Sequence, residues 1–203
     1  TEIPARRTRH SVSGPRWTGT RLSGPTPDAP AAAITDSRGG DLVFASHLGR
    51  RIESIVAEAL RDGIDVTDPD ALAALVKNHM ARAPKLRGRR AFMLAASMTA
   101  TYVRRFAPGR PWRLVASNRR IGDGRADLVF STGTEWFVDE IKAARVRPSD
   151  PQLLAQVGRY QRGAARYGSS FLGVRVALLR APASLVHFPA ADARKPLPGA
   201  EPR

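Results

Sequence analysis

Two kinds of hydrophobic spacing divide the chain. In "SHLGRRIESIVAEALRDG" apolar residues fall at 48, 52, 55, 56, 59 and 60, the recurrence of a helix with one buried face. Ser46 is the expected N-cap and Gly63 the expected stop. "DPDALAALVKNHMARA" predicts a second helix over 68–83, with Asp68 as cap and Pro69 in the first turn. "GRRAFMLAASMTATYVRRF" predicts a third over 88–106, closed by Pro108 and Gly109. The period then changes to two. Strands are expected at 112–118 and 125–131 around the turn "RRIGDG", and at 135–144 after "STGT". A helix over 149–168 follows, capped by Ser149 or Asp150, and then a strand over 171–181.

This order of helices, three strands, helix and strand specifies an α/β fold with a mixed sheet. The first two strand connections are short, as in antiparallel hairpins. The last strand returns through a helix and is expected beside a parallel neighbour. The folded domain is expected over 41–181. Residues 1–40, rich in Pro, Gly, Ser, Thr and Arg, show no period and read as a flexible basic arm. The arm is either disordered or ordered by contact with nucleic acid or a protein partner. The proline-rich stretch 182–203 reads as a second flexible tail.

Charge narrows the set of partners. In 203 residues, 33 Lys and Arg stand against 18 Asp and Glu, a net charge of +15. Such a surface favours polyanions. There is no cysteine, so disulfides and thiolate metal sites are excluded. His10, His47, His79 and His187 are scattered without metal-ligand spacing. No apolar run approaches the roughly 18 residues of a membrane span, and no signal-peptide pattern is visible. The expectation is a soluble cytoplasmic protein, at the nucleoid if bacterial.

The stretch "GRADLVFSTGTEWFVDEIKAA" (124–144) carries three charges at the ends of apolar strands: Asp127, Glu140 and Lys142. Residues i and i+2 of a strand share a face, so Glu140 and Lys142 point together. A turn near 131–134 brings Asp127 close to Glu140. Asp139 faces the other way and reads as structural. Two adjacent carboxylates repel, and burial raises at least one pKa unless a cation intervenes. Mg²⁺ or Mn²⁺, which prefer oxygen ligands, resolve that conflict, and Lys142 beside them can hold a water. The set suits phosphodiester hydrolysis. On spacing alone, a plain salt bridge at a strand end is the favoured reading.

Further matches weigh on that choice. Asp127 followed by Glu140-Ile141-Lys142 resembles the motif of the PD-(D/E)xK nuclease superfamily, and Gly124 to Asp127 resembles its Gly-x-x-Asp lead-in, with Ala126 where proline is usual. Gln156-x-x-x-Tyr160 resembles the QxxxY motif of the RecB-like branch, and Gly49-x-x-x-Glu53 its Gly-x-x-x-His/Glu element, here with Glu. The resemblance implies a restriction-endonuclease-like αβββαβ core with extra N-terminal helices. It further implies that Asp127, Glu140, the Ile141 carbonyl and Glu53 hold Mg²⁺ or Mn²⁺, Glu53 directly or through water. Lys142 would position or activate the water, and Gln156 and Tyr160 would orient the DNA or the lysine.

Basic residues are uneven along the chain. Residues 82–125 hold twelve Arg and Lys against the single acid Asp123, and 145–180 hold seven Arg against Asp150. Arg89, Arg90, Arg119, Arg120, Arg125, Arg145, Arg147, Arg159 and Arg162 are the expected phosphate contacts, whereas helix 46–68 is acidic by comparison. No base-reading module is visible, so backbone contacts are expected to dominate. The function expected is metal-dependent DNA cleavage, on single or double strands. Alternatives are a non-cleaving nucleic-acid-binding or targeting module with the same fold, and a basic structural protein.

Overall fold

The computed structural model describes residues 35–167, 170–191, 193 and 197–199. Its elements in chain order are α1 (Thr35–Asp62), α2 (Pro69–Ala81), α3 (Arg89–Arg105), β1 (Arg113–Ile121), β2 (Gly124–Ser131), β3 (Trp136–Lys142), α4 (Pro151–Ala164), β4 (Phe171–Leu178) and β5 (Ser184–Pro189). One 3₁₀ turn, Pro84–Leu86, precedes α3, and another, Ala165–Tyr167, follows α4.

The five strands lie in the order β1-β2-β3-β4-β5. β1–β2, β2–β3 and β4–β5 pair antiparallel, and β3–β4 pair parallel. The fold is therefore α/β with a mixed five-stranded sheet, and the parallel pair is the one joined through α4.

Alternation along β3 separates two cores. Phe137 and Ile141 face a cluster built by α1, α2 and α3, which includes Leu48, Ile52, Ile55, Val76 and Tyr102. Val138 faces a second cluster with Leu153, Val157 and Tyr160 of α4. β4 is buried throughout, because both faces are covered there. α4 approaches the sheet closely at one point. A Cβ on Gly163 would stand 2.7 Å from the Gly122 backbone nitrogen, and Gly122 itself takes φ +57° in the β1–β2 turn.

The element boundaries show where local signals were overridden. Asp68 and Asp150 cap α2 and α4 as expected, each accepting two backbone N–H groups of the first turn. Ser46 is not a cap: α1 begins at Thr35 and runs through it. Gly39, Gly40 and their polar neighbours interrupt the apolar period there, so the sequence hides the first turns. Gly63 follows α1 with φ +66°, in the expected role. β1 continues to Ile121, so the connection to β2 narrows to Gly122-Asp123.

The largest correction lies after residue 181. Ser184–Pro189, expected within a flexible tail, is an edge strand that pairs with β4 from Leu178↔Ser184 to Gly173↔Pro189. Leu197 is buried in the three-helix core, and the Pro198 carbonyl accepts from Arg175 Nη1 at 2.8 Å. The short apolar run "SLVHF" stands between prolines, which edge strands tolerate and sequence patterns penalise. Of the flexible arm expected over 1–40, residues 35–40 instead belong to α1, and residues 1–34 lie outside the described residues.

Candidate active site

Four elements converge on one end of the sheet. The β2–β3 register sets Leu128 opposite Asp139, so Asp127 near the start of β2 meets Glu140 near the end of β3. Asp127 Oδ2 accepts the Ile141 backbone N–H at 2.7 Å. Both carboxylates are buried, Asp127 to 9% and Glu140 to 3% exposure. Lys142 Nζ donates to Glu140 Oε1 at 2.7 Å and to Gln156 Oε1 at 2.9 Å.

Gln156 and Tyr160 lie one turn apart on α4, as their spacing requires. Gln156 Nε2 donates to the Tyr160 hydroxyl at 2.8 Å. The phenol's single proton faces two acceptors, the Arg125 carbonyl at 2.6 Å and Glu140 Oε2 at 2.7 Å. Both oxygens of Glu140 are thereby engaged. The ring lies directly over Gly124: a Cβ there would stand 2.5 Å from Tyr160 Cε1. The glycine that opens the Gly-x-x-Asp sequence makes room for the tyrosine of the downstream motif.

Glu53 reaches the same place from α1. It shares the lining of one cavity with Glu140, Lys142 and Gln156, and of another with Asp127 and Arg125. Burial, and then Glu140, push its carboxyl up to about 7, against Lys142 and Arg50, which oppose the shift. Burial, then Glu140 and Glu53, hold Asp127 well above the ordinary carboxylate range. Tyr160 is raised by burial and by Glu140, and so stays neutral. Three acids are thus held together against one lysine and a nearby arginine.

Carboxylate oxygens are the ligands that a hard divalent cation takes, and excess negative charge is what such a cation relieves. The donor set therefore fits Mg²⁺ or Mn²⁺ in chemistry. Its arrangement is not that of a ready-made ligand cage: among the described residues no group of three or more His, Cys, Asp or Glu stands in metal-holding geometry.

Comparison of the chain with family models, with curated proteins and with solved structures returned no match.

Asp139 faces the opposite core, as alternation required. It receives Arg175 through two bonds, Nε to Oδ1 at 2.7 Å and Nη2 to Oδ2 at 2.5 Å, and a hydrogen bond from the Tyr102 hydroxyl. Arg175 Nη2 also donates to the Phe106 carbonyl at 2.9 Å. Glu58, the weaker acidic candidate on α1, pairs with His79 at 2.9 Å. Trp112 and Trp136 pack edge-on or tilted against Phe137 and Phe171.

The expected phosphate-binding arginines divide. Arg125 and Arg159 line the two cavities that meet at Glu53. Arg119 and Arg120 lie on β1 beside a separate apolar cavity with Trp136 and Tyr167. Arg89 and Arg90 begin α3, Arg145 and Arg147 follow β3, and Arg162 ends α4, all exposed; none of these lines either cavity at the carboxylates. Sequence reasoning missed Arg50, Arg51 and Arg61, which do line the larger one. The signal was there, but averaging charge over the whole of α1 concealed it. No helix among the described residues is long and apolar enough to cross a membrane.

Proposed function

We propose that the chain is a metal-dependent nuclease that hydrolyses DNA phosphodiester bonds, with the restriction-endonuclease-like core and RecB-like motifs its sequence resembles. One observation carries the reading: Glu53, Asp127 and Glu140, from three elements, are gathered around Lys142 at one sheet end. A structural salt bridge needs one acid and one base, not three acids with their charges left in conflict.

The chain's own residues have definite parts. Asp127 keeps one oxygen on the Ile141 N–H and the other free. With Glu140, Glu53 and the Ile141 carbonyl, it would hold Mg²⁺ or Mn²⁺. The bound cation supplies positive charge for the phosphate oxygens and lowers the pKa of a water. An ammonium has three donors; Lys142 spends two on Glu140 and Gln156. Its third is free to orient the attacking water. Gln156 and Tyr160 fix Lys142 and Glu140 in place, which reduces the reorganisation needed during reaction.

A second reading, a non-cleaving nucleic-acid-binding module, draws on the absence of a ready-made ligand cage. Incubation with end-labelled single-stranded, linear and circular DNA, plus RNA, in Mg²⁺ or Mn²⁺ separates the two. Cleavage that disappears in Lys142→Ala supports the nuclease. No cleavage of any substrate in either metal, or undiminished cleavage by the variant, rejects it.

A further inference from the structure

We propose that the cleft between α1 and the β1–β2 hairpin is a track for one unpaired nucleic-acid strand, which it leads into the carboxylate cluster. The proposal rests on the nuclease reading for what happens at the end of the track, but the track itself is argued from its own residues.

The cleft has a volume of about 890 Å³. That is within the range of clefts that take small molecules, roughly 300–1,000 Å³, the scale of a short length of one strand. One wall is a stripe of α1. Arg50, Ser54, Ala57 and Arg61 recur at the three- and four-residue spacing of a single helix face. The small residues lie in the middle and the arginines at the ends. At 1.5 Å of rise per residue, Arg50 and Arg61 stand about 16 Å apart along the axis. Arg51 flanks the stripe, and Arg125 stands on the β2 side with Asp127.

None of these four arginines is in an ion pair with a carboxylate among the described residues. Arg50 bonds His47 at 3.1 Å, Arg51 the Arg82 carbonyl at 3.4 Å, and Arg61 Ser117 at 3.2 Å. Each of these contacts uses one of five guanidinium donors. The cleft's acids are otherwise disposed: Glu58 is paired with His79, and Glu53 and Asp127 belong to the cluster. Free guanidinium forks along a narrow channel are suited to successive phosphates. Arg50 and Glu53 also line the neighbouring cavity of about 490 Å³, which holds Glu140, Lys142 and Gln156. The two cavities therefore meet at the cluster, and a strand lying in the first arrives at the acids.

The test is fluorescence anisotropy with a labelled oligo-dT over a salt series in EDTA, so that binding is read without cleavage. Arg51→Gln and Arg61→Gln should each weaken binding several-fold and reduce the log–log salt slope by about 0.7, the value for one phosphate of a single strand. Ser54→Trp fills the channel from an exposed position without changing charge, and should weaken binding several-fold with an unchanged circular dichroism spectrum. Arg89→Gln, outside the cleft, should change binding much less. The proposal is overturned if wild-type protein does not bind the oligonucleotide, if it prefers a hairpin duplex, or if all three cleft variants bind like wild type. It is also overturned if Arg89→Gln matches their loss. Binding as expected, followed by no cleavage when Mg²⁺ is added, rejects the nuclease reading and leaves the track standing.

Discussion

Asp139 and Glu140 are consecutive, both buried, and both on β3, yet the fold treats them in opposite ways. Asp139 is met by a bidentate arginine and a tyrosine hydroxyl. Burial works against the Arg175 charge, and Asp139 more than restores it, so the guanidinium stands above its ordinary pKa. The two buried charges there balance each other. Glu140 faces two further carboxylates and one lysine. The first arrangement is complete within the chain and ties together α3, β3, β4 and the segment at Pro198. The second keeps an electrostatic conflict inside an otherwise close-packed domain. Perturbed titratable groups at the mouth of a cavity are characteristic of working sites, whereas a closed pair is characteristic of scaffolding.

Breaking the closed side should have the largest effect on stability. Asp139→Ala leaves Arg175 buried and unpaired, which costs about 3–5 kcal/mol. Urea unfolding should show that loss, while cleavage per folded molecule stays near wild type. Lys142→Ala makes the reverse case. It removes the one ammonium bonded to the buried Glu140, so it should also cost some stability, but cleavage per folded molecule should fall about 10²–10⁴-fold, the scale of a positioned proton-transfer group. If both variants lost stability and neither lost activity specifically, the contrast between the two faces would be wrong.

Gly124→Ala sharpens the comparison at a residue with no charge. Its new methyl must displace the Tyr160 ring, at about 1–3 kcal/mol for overpacking. Because Tyr160 holds Glu140, cleavage should fall together with stability. The remaining effect is in pH. Glu53 rises from 4.5 to about 7 in the fold. A raised carboxylate favours the folded state fully below its unfolded pKa, and that stability is lost as pH rises through 7. Metal-free protein should therefore lose thermal stability between pH 5 and 8. Glu53→Gln should flatten the slope, and Mn²⁺ should raise the melting temperature more at pH 8 than at pH 5.5.

Much of this contrast was legible before the fold. Strand alternation alone separated Asp139 from Glu140, and helical spacing put Gln156 and Tyr160 on one face. The helix crossover between β3 and β4 announced the parallel pair. What stayed hidden depended on distant partners. Arg175 lies 36 residues from Asp139, with no local pattern to connect them. β5 is a six-residue strand with only Leu185, Val186 and Phe188 apolar before its closing proline, and its pairing is supplied by β4. The arginines of α1 became visible only when the helix face was known, because a helix with near-balanced charge can still present one sign along one stripe.

The most direct measurement is calorimetric titration of Mn²⁺ into wild type, Glu140→Gln and Asp139→Asn, each checked to be folded. Uptake by wild type, lost in Glu140→Gln and kept in Asp139→Asn, is the expected result. No uptake by wild type, or uptake that survives Glu140→Gln, would contradict the assignment of the unresolved charge on β3 to a cation site.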